Sequence, residues 1–113
     1  MHEMSLAESV LQIIEDAAPT QNFQRVRTVV LEIGALAAVE PDAMRFCFDA
    51  VTHGSIAEGA QLEILDKPGE GWCTECSKTV LLRERFGLCP ECGGARVEIT
   101  GGNEMRVKEL EVE

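Results

Sequence analysis

Four of the five cysteines fall into two tight pairs, Cys73-x2-Cys76 and Cys89-x2-Cys92, with twelve residues between them. A two-residue gap lets one tight turn place both sulfurs on the same side. Two such turns facing each other complete a tetrahedral shell of four thiolates, with metal–sulfur distances of about 2.3 Å. Soft thiolates in that geometry favour zinc, and a shell closed by four protein ligands leaves no position for a substrate. The metal at Cys73, Cys76, Cys89 and Cys92 is therefore expected to be structural Zn(2+). Gly93 and Gly94 follow the second pair and suit the positive φ that such turns need. Two redox-active pairs are the competing reading. A thioredoxin-type pair opens a helix directly after a strand, whereas both pairs here are flanked by turn residues.

The second candidate is His2, next to the chain's free amine. The Met1 amine, the His2 backbone nitrogen once deprotonated and the His2 imidazole would form adjoining chelate rings, and a nearby amide or carboxylate would complete a square plane. Tetragonal nitrogen and oxygen donation of that kind suits Ni(II) or Cu(II). Taken alone, an unconstrained terminal histidine is the simpler reading. Glu3 and Glu40 are possible oxygen donors. Each also suits the positive end of a helix, and Glu40 could cap one. His53 falls near a helix C-terminus, where a surface histidine is the default, and Cys47 lies among Phe46, Phe48 and Val51 as a small buried hydrophobe. The sequence holds no Ser/His/Asp set, no phosphate loop and no carboxylate pair at a catalytic spacing, so no enzyme is expected.

Charge excludes further classes. Twenty acids against ten bases give a net charge of −10 in 113 residues. A nucleic-acid binder needs a basic stripe to displace counterions from phosphates, and none is present. From Gly69 to Thr100 there are five acids and four bases, which leaves fifteen acids and six bases elsewhere. A cation or a basic protein is the partner this balance suits. No apolar run approaches the roughly 20 residues that span a bilayer, and no basic and apolar leader opens the chain. The expectation is a cytoplasmic protein without a membrane partner, in a compartment that keeps thiols reduced.

These residues need elements to position them. Ser5 with Glu8 reads as a capping box, and Leu6, Val10, Ile13, Ile14 and Ala17 share a helical face that Pro19 should end. Arg25 to Ile33 alternates as a strand, with Val29, Leu31 and Ile33 on one side. A second helix is expected from about Glu40, with Pro41 at an early position, Met44, Cys47, Phe48 and Val51 at helical spacing, and Gly54 as its stop. Gln61 to Asp66 is a further strand. Lys67-Pro68-Gly69 and Gly101-Gly102-Asn103 bracket the cysteine segment, within which Thr79–Leu82 and Arg96–Ile99 read as short strands. In the tail, Met105 and Val107 share one parity and Leu110 and Val112 the other, as in a strand with a bulge near Lys108–Glu109. Such a strand would return to the first sheet. The expected fold is α+β, a small mixed α/β domain of two helices on a three-stranded sheet (1–68 and 101–113) with an inserted four-cysteine zinc ribbon (69–100). The ribbon is too small for its own core, so metal binding should supply much of its folding free energy.

Met1-His2-Glu3-Met4-Ser5, Val30-Leu31-Glu32-Ile33-Gly34, Phe46-Cys47-Phe48, the two cysteine pairs and Gly102-Asn103-Glu104-Met105-Arg106 together resemble the HypA/HybF family. Its members are nickel metallochaperones for the maturation of [NiFe]-hydrogenase. The resemblance runs the length of the chain. It implies that the α/β domain is a nickel-binding domain, with His2 as the essential nickel ligand, helped by backbone nitrogens at the terminus and by Glu3. It assigns the four paired cysteines to structural zinc. Glu40 falls where some relatives carry an aspartate near nickel. The implied partners are a HypB-type GTPase that helps load Ni(2+) and the hydrogenase large-subunit precursor that receives it. The alternative is a zinc-ribbon adaptor that docks through its acidic surface and in which His2 does nothing.

Overall fold

The computed structural model describes residues 2–84 and 87–113. Along the chain it forms α1 (Glu3–Gln21), β1 (Val26–Gly34), α2 (Pro41–Thr52), β2 (Gln61–Lys67), β3 (Gly69–Cys73), β4 (Lys78–Leu82), β5 (Val97–Gly101) and β6 (Met105–Val112). Two three-stranded sheets result, ordered β2-β1-β6 and β4-β3-β5. The α+β expectation is met, including the return of the last strand to the first sheet. Two compact units divide the chain. One holds Met1–Leu31, Val39–Ile64 and Val107–Glu113, the other Glu32–Ala38 and Leu65–Arg106.

In the first unit, α1 starts earlier and ends later than its sequence signals suggest. His2 is its N-cap, and the first helical bond runs from the Leu6 N–H to the His2 carbonyl at 3.1 Å. Ser5 therefore lies inside the first turn, where its carbonyl accepts from the Ser9 hydroxyl. Glu3 supplies the negative charge that the helix start favours. Pro19 sits within the last turn and does not end the helix. Ala18 accepts from the N–H groups of both Asn22 and Phe23, and Asn22 adopts the left-handed conformation (φ 62°) that stops it. The buried stripe is Ala7, Val10 and Ile14, while Ile13 faces outward at 51% exposure.

The first unit's second helix, α2, follows its signals closely. Glu40 is the N-cap, its carboxylate accepting from the Asp42 N–H at 3.2 Å, and Pro41 occupies the first turn. Met44, Phe48 and Thr52 are buried, and the Thr52 hydroxyl donates to the Phe48 carbonyl. Cys47 is only half-buried, not the buried hydrophobe its neighbours suggest, and Phe46 beside it faces solvent. In β1, Val29, Leu31 and Ile33 are buried on one side and Val30 on the other. β6 has partly buried positions at Met105, Val107 and Leu110, so its parity changes between the last two.

The second unit contains a strand that the sequence reading did not anticipate. β3 pairs antiparallel with both β4 and β5, making it the centre of its sheet. Its glycines are forced by packing. A Cβ on Gly71 would lie 2.6 Å from Val97 and 2.7 Å from Leu82, and one on Gly69 would lie 2.6 Å from Leu36.

Three backbone segments of this unit meet closely at glycines. The Gly34 N–H donates to the Glu104 carbonyl, the Ala35 N–H to Lys67 and the Leu36 N–H to Gly102, each at 2.8 Å. A Cβ on Gly34 would overlap the Gly102 carbonyl, and Gly102 itself has φ 79°. Gly34→Ala is expected to destabilise the protein by about 2 kcal/mol or more, the upper part of the overpacking range. Thermal unfolding of the metal-loaded protein checks this, with Gly59→Ala, where a Cβ meets nothing within 4 Å, separating backbone strain from collision.

Candidate metal centre

Cys73 is the last residue of β3, and Cys76 lies just before β4. The turn between them is closed by the Cys76 N–H, which donates to the Cys73 sulfur at 3.4 Å. The second pair repeats the pattern. The Cys89 carbonyl accepts from the Gly93 N–H at 2.8 Å, the Cys89 N–H donates to Gly94, and the Gly94 N–H donates to the Cys92 sulfur at 3.4 Å. In each turn the residue after the second cysteine is left-handed, Ser77 at φ 52° and Gly93 at φ 72°. Gly94 serves differently from the expectation. Its φ is not positive, and it is there because a Cβ would lie 2.5 Å from Glu75 Oε2 and 3.2 Å from the Cys92 sulfur.

All four sulfurs lie within 4.8 Å of one another, with Cys73–Cys92 at 3.7 Å and Cys76–Cys89 at 3.9 Å. Sulfurs about 2.3 Å from a tetrahedral ion stand about 3.8 Å apart. The residues present thus fit a zinc-sized ion, and four sulfurs close its shell. Lys78, beside the first turn, pairs with Glu91 of the second at 2.5 Å. Cys73 and Cys89 are buried in one cluster with Leu36, Val80 and Leu82, so two of the four candidate ligands also belong to the core, while Cys76 is half-buried and Cys92 exposed. Leu36 comes from outside the cysteine segment and was not foreseen from sequence, and the only signal for it is its apolar neighbour run after Gly34.

The thiols differ in acidity. The backbone N–H groups of Cys92 and Glu91 hold the Cys89 thiol down at about 7. The neighbouring Cys92 sulfur, with burial, pushes Cys76 up to about 12.

At the other candidate, Met1 lies outside the described residues. His2 is exposed at the head of α1, and its side chain makes no capping hydrogen bond. Helix geometry leaves the N–H groups of the first turn without intrahelical acceptors. Glu3 is half-buried, and its Oε2 accepts from the Glu40 N–H at 3.2 Å, so the starts of α1 and α2 are tied together. That bond holds the Glu3 carboxyl below its usual range. Among the described residues, the four cysteines are the group whose ligand atoms gather, and His2, Glu3 and Glu40 do not form a second. His53 is exposed, 3.7 Å from Glu58.

Comparison with known proteins gives a consistent result. A family model described as hydrogenase/urease nickel incorporation, metallochaperone, hypA matches residues 1–112. The chain is 61% identical to the hydrogenase maturation factor HypA of Dechloromonas aromatica and 64% identical to that of Albidiferax ferrireducens, over the whole of both chains in each case. It is also similar to the solution structure of the Ni metallochaperone HypA from Helicobacter pylori, with a TM-score of 0.73 and 31% identity, covering 99% of this chain and 97% of that one. No helix among the described residues is long and apolar enough to cross a membrane.

Metal must displace the protons that these thiols carry, so affinity falls with acid. Cys76, pushed up to about 12, and Cys92, also raised, each give up a proton at any working pH, whereas Cys89 adds a further one only below about 7. The slope of log zinc affinity against pH is therefore expected to steepen by about one below pH 7. Competition with a chelator from pH 6 to 8 measures it, and a slope that is constant through pH 7 contradicts the assignment.

Proposed function

Since the chain belongs to the HypA family of hydrogenase and urease nickel-incorporation metallochaperones, we propose that it binds Ni(II) at its own N-terminus and delivers it for maturation of a nickel–iron hydrogenase. His2 supplies the imidazole, Met1 the terminal amine, and the His2 backbone nitrogen joins the two rings, with Glu3 as an oxygen donor. Cys73, Cys76, Cys89 and Cys92 hold a structural zinc that stays in place. Functionally, 1–68 with 101–113 forms the nickel-binding domain and 69–100 the zinc ribbon.

The observation that carries this reading is the placement of His2. It heads α1 in solvent while Glu3, the next residue, is anchored to the Glu40 N–H. An ion held there is exposed to incoming ligands, which a carrier needs. The ion enters beside the positive end of a helix, which opposes a cation. Deprotonation of the His2 amide, loss of the amine proton and the Glu3 carboxylate offset that field. Nitrogen donors favour Cu(II) over Ni(II) by intrinsic affinity, so selectivity must come from geometry, partners and metal supply.

In this reading the chain carries an ion and catalyses nothing. A HypB-type GTPase loads the nickel and the hydrogenase large-subunit precursor receives it, in the cytoplasm. Zinc leaves no open position among its four thiolates and does not enter the exchange.

Calorimetric titration of zinc-loaded, tag-free protein with Ni(II) is expected to show about one site per chain. His2→Ala should abolish that site and retain the zinc, and Glu3→Gln should weaken it. Equal nickel binding by wild type and His2→Ala would refute the terminal chelate and favour the adaptor reading.

A further inference from the structure

Phe46 is 73% exposed, the most open of the large apolar side chains on α2. Its neighbours Met44 and Phe48 are completely buried, and at about 100° per residue Phe46 lies on the opposite side of the helix from them. Packing of the free protein therefore gives no reason for an aromatic here. We propose that the outward face of α2, centred on Phe46, is the docking site for the protein that takes up the nickel, through an apolar cleft bordered by lysines or arginines.

Charge on and around the face defines that partner. Asp42 lies one turn before Phe46 and Asp49 one turn after it, on the same side of the helix. Among the described residues neither carboxylate is ion-paired or accepts a hydrogen bond. Arg45, the cation of α2, is committed to the Leu62 carbonyl. The unit that contains α2 holds twelve acids and four bases, against eight and six in the other. An anchoring aromatic ringed by unpaired acids matches a basic-rimmed cleft. A second copy would bring the same acids against themselves, and nucleic acids and anionic lipid surfaces are repelled.

Position makes the partner the recipient of the ion. This step alone rests on the carrier reading above. Glu40, the cap of α2, is hydrogen-bonded to Glu3, beside His2. Phe46 stands six residues further on, about 9 Å along the helix axis. A protein seated on Phe46 therefore reaches the head of α1 with its own surface.

The test is kinetic binding of the nickel-loaded chain to purified hydrogenase large-subunit precursor, at low and high salt. Phe46→Ala is expected to weaken affinity about thirtyfold or more, as for an interface anchor. Asp42→Asn with Asp49→Asn should slow association several-fold at low salt and much less at high salt. Ile13→Ala, which removes an exposed apolar side chain from α1, should change affinity less than about twofold. Unaltered melting temperature and nickel stoichiometry in Phe46→Ala would exclude misfolding and loss of cargo. Precursor binding within twofold of wild type for Phe46→Ala overturns the proposal. So does wild-type self-association that this substitution abolishes, or a loss confined to the HypB-type GTPase. If nickel binding proves independent of His2 while Phe46→Ala still abolishes precursor binding, the terminal chelate fails and the docking face stands.

Discussion

A close crossing of three backbone segments at glycine positions is the constraint on which the fold depends. β1 lies between β2 and β6, with neighbouring strands about 4.8 Å apart. The cysteine segment leaves after β2 and comes back as β6, so its two ends must pass on either side of the end of β1. Gly34, Gly69 and Gly102 make this possible. Each bare Cα lets another backbone approach where a Cβ would collide. The N–H groups of Gly34, Ala35 and Leu36 are satisfied by carbonyls of the passing segments, as buried polar backbone requires. The chain can thus insert about forty residues into a small sheet without breaking it.

The inserted unit solves a different problem. Among the described residues, the cluster around its cysteines has Leu36, Val80 and Leu82 as buried aliphatic side chains, few for a stable core of its own. Cys73 and Cys89 are buried among them, so the sulfurs act as hydrophobic packing and as ligands at once. A metal held by these sulfurs would thus replace apolar area where the segment lacks it. The same fact separates this centre from the one proposed at the terminus. Two of the four ligands, Cys73 and Cys89, are embedded in that core, so on the proposed reading release of the ion would disturb the packing, which suits a permanent ion rather than a delivered one.

Much of this was legible in the sequence, for local reasons. The spacing of the cysteine pairs, the cap and early proline of α2 and the parity change in the tail depend on residues close to one another, and each is found in the structure. The rest depended on contacts remote in sequence. β3 was missed because Gly69 and Gly71 weaken a strand locally, and only Leu36, Leu82 and Val97 explain why they are needed. Ser5 gave a false helix start because nothing local showed that the helix would begin at Glu3, with His2 in the N-cap position. Pro19 gave a false end because the stop is supplied by Asn22 in a left-handed conformation. Phe46-Cys47-Phe48 reads as a buried run, but helical geometry divides it between core and solvent.

On the proposed reading, Glu3 shows how an exchangeable site can still be located. An ion held only by a frayed terminus would be accessible but have no fixed position, and a partner would search for it over the full reach of the chain. Burial would fix it and also block transfer. In the structure Glu3 forms a hydrogen bond with the Glu40 N–H, while Glu40 caps α2 through Asp42. Two helix starts are thereby joined by backbone N–H groups and two carboxylates, with His2 just outside the joined part. On the proposed reading, the donor atoms of His2 remain free to reach an incoming ligand while their point of attachment stays fixed. A carboxylate suits that post because it offers two oxygens. With Oε2 keeping α2 in place, the proposed reading gives the other oxygen to the ion, so that nickel would bind or leave without dismantling the contact that marks its position.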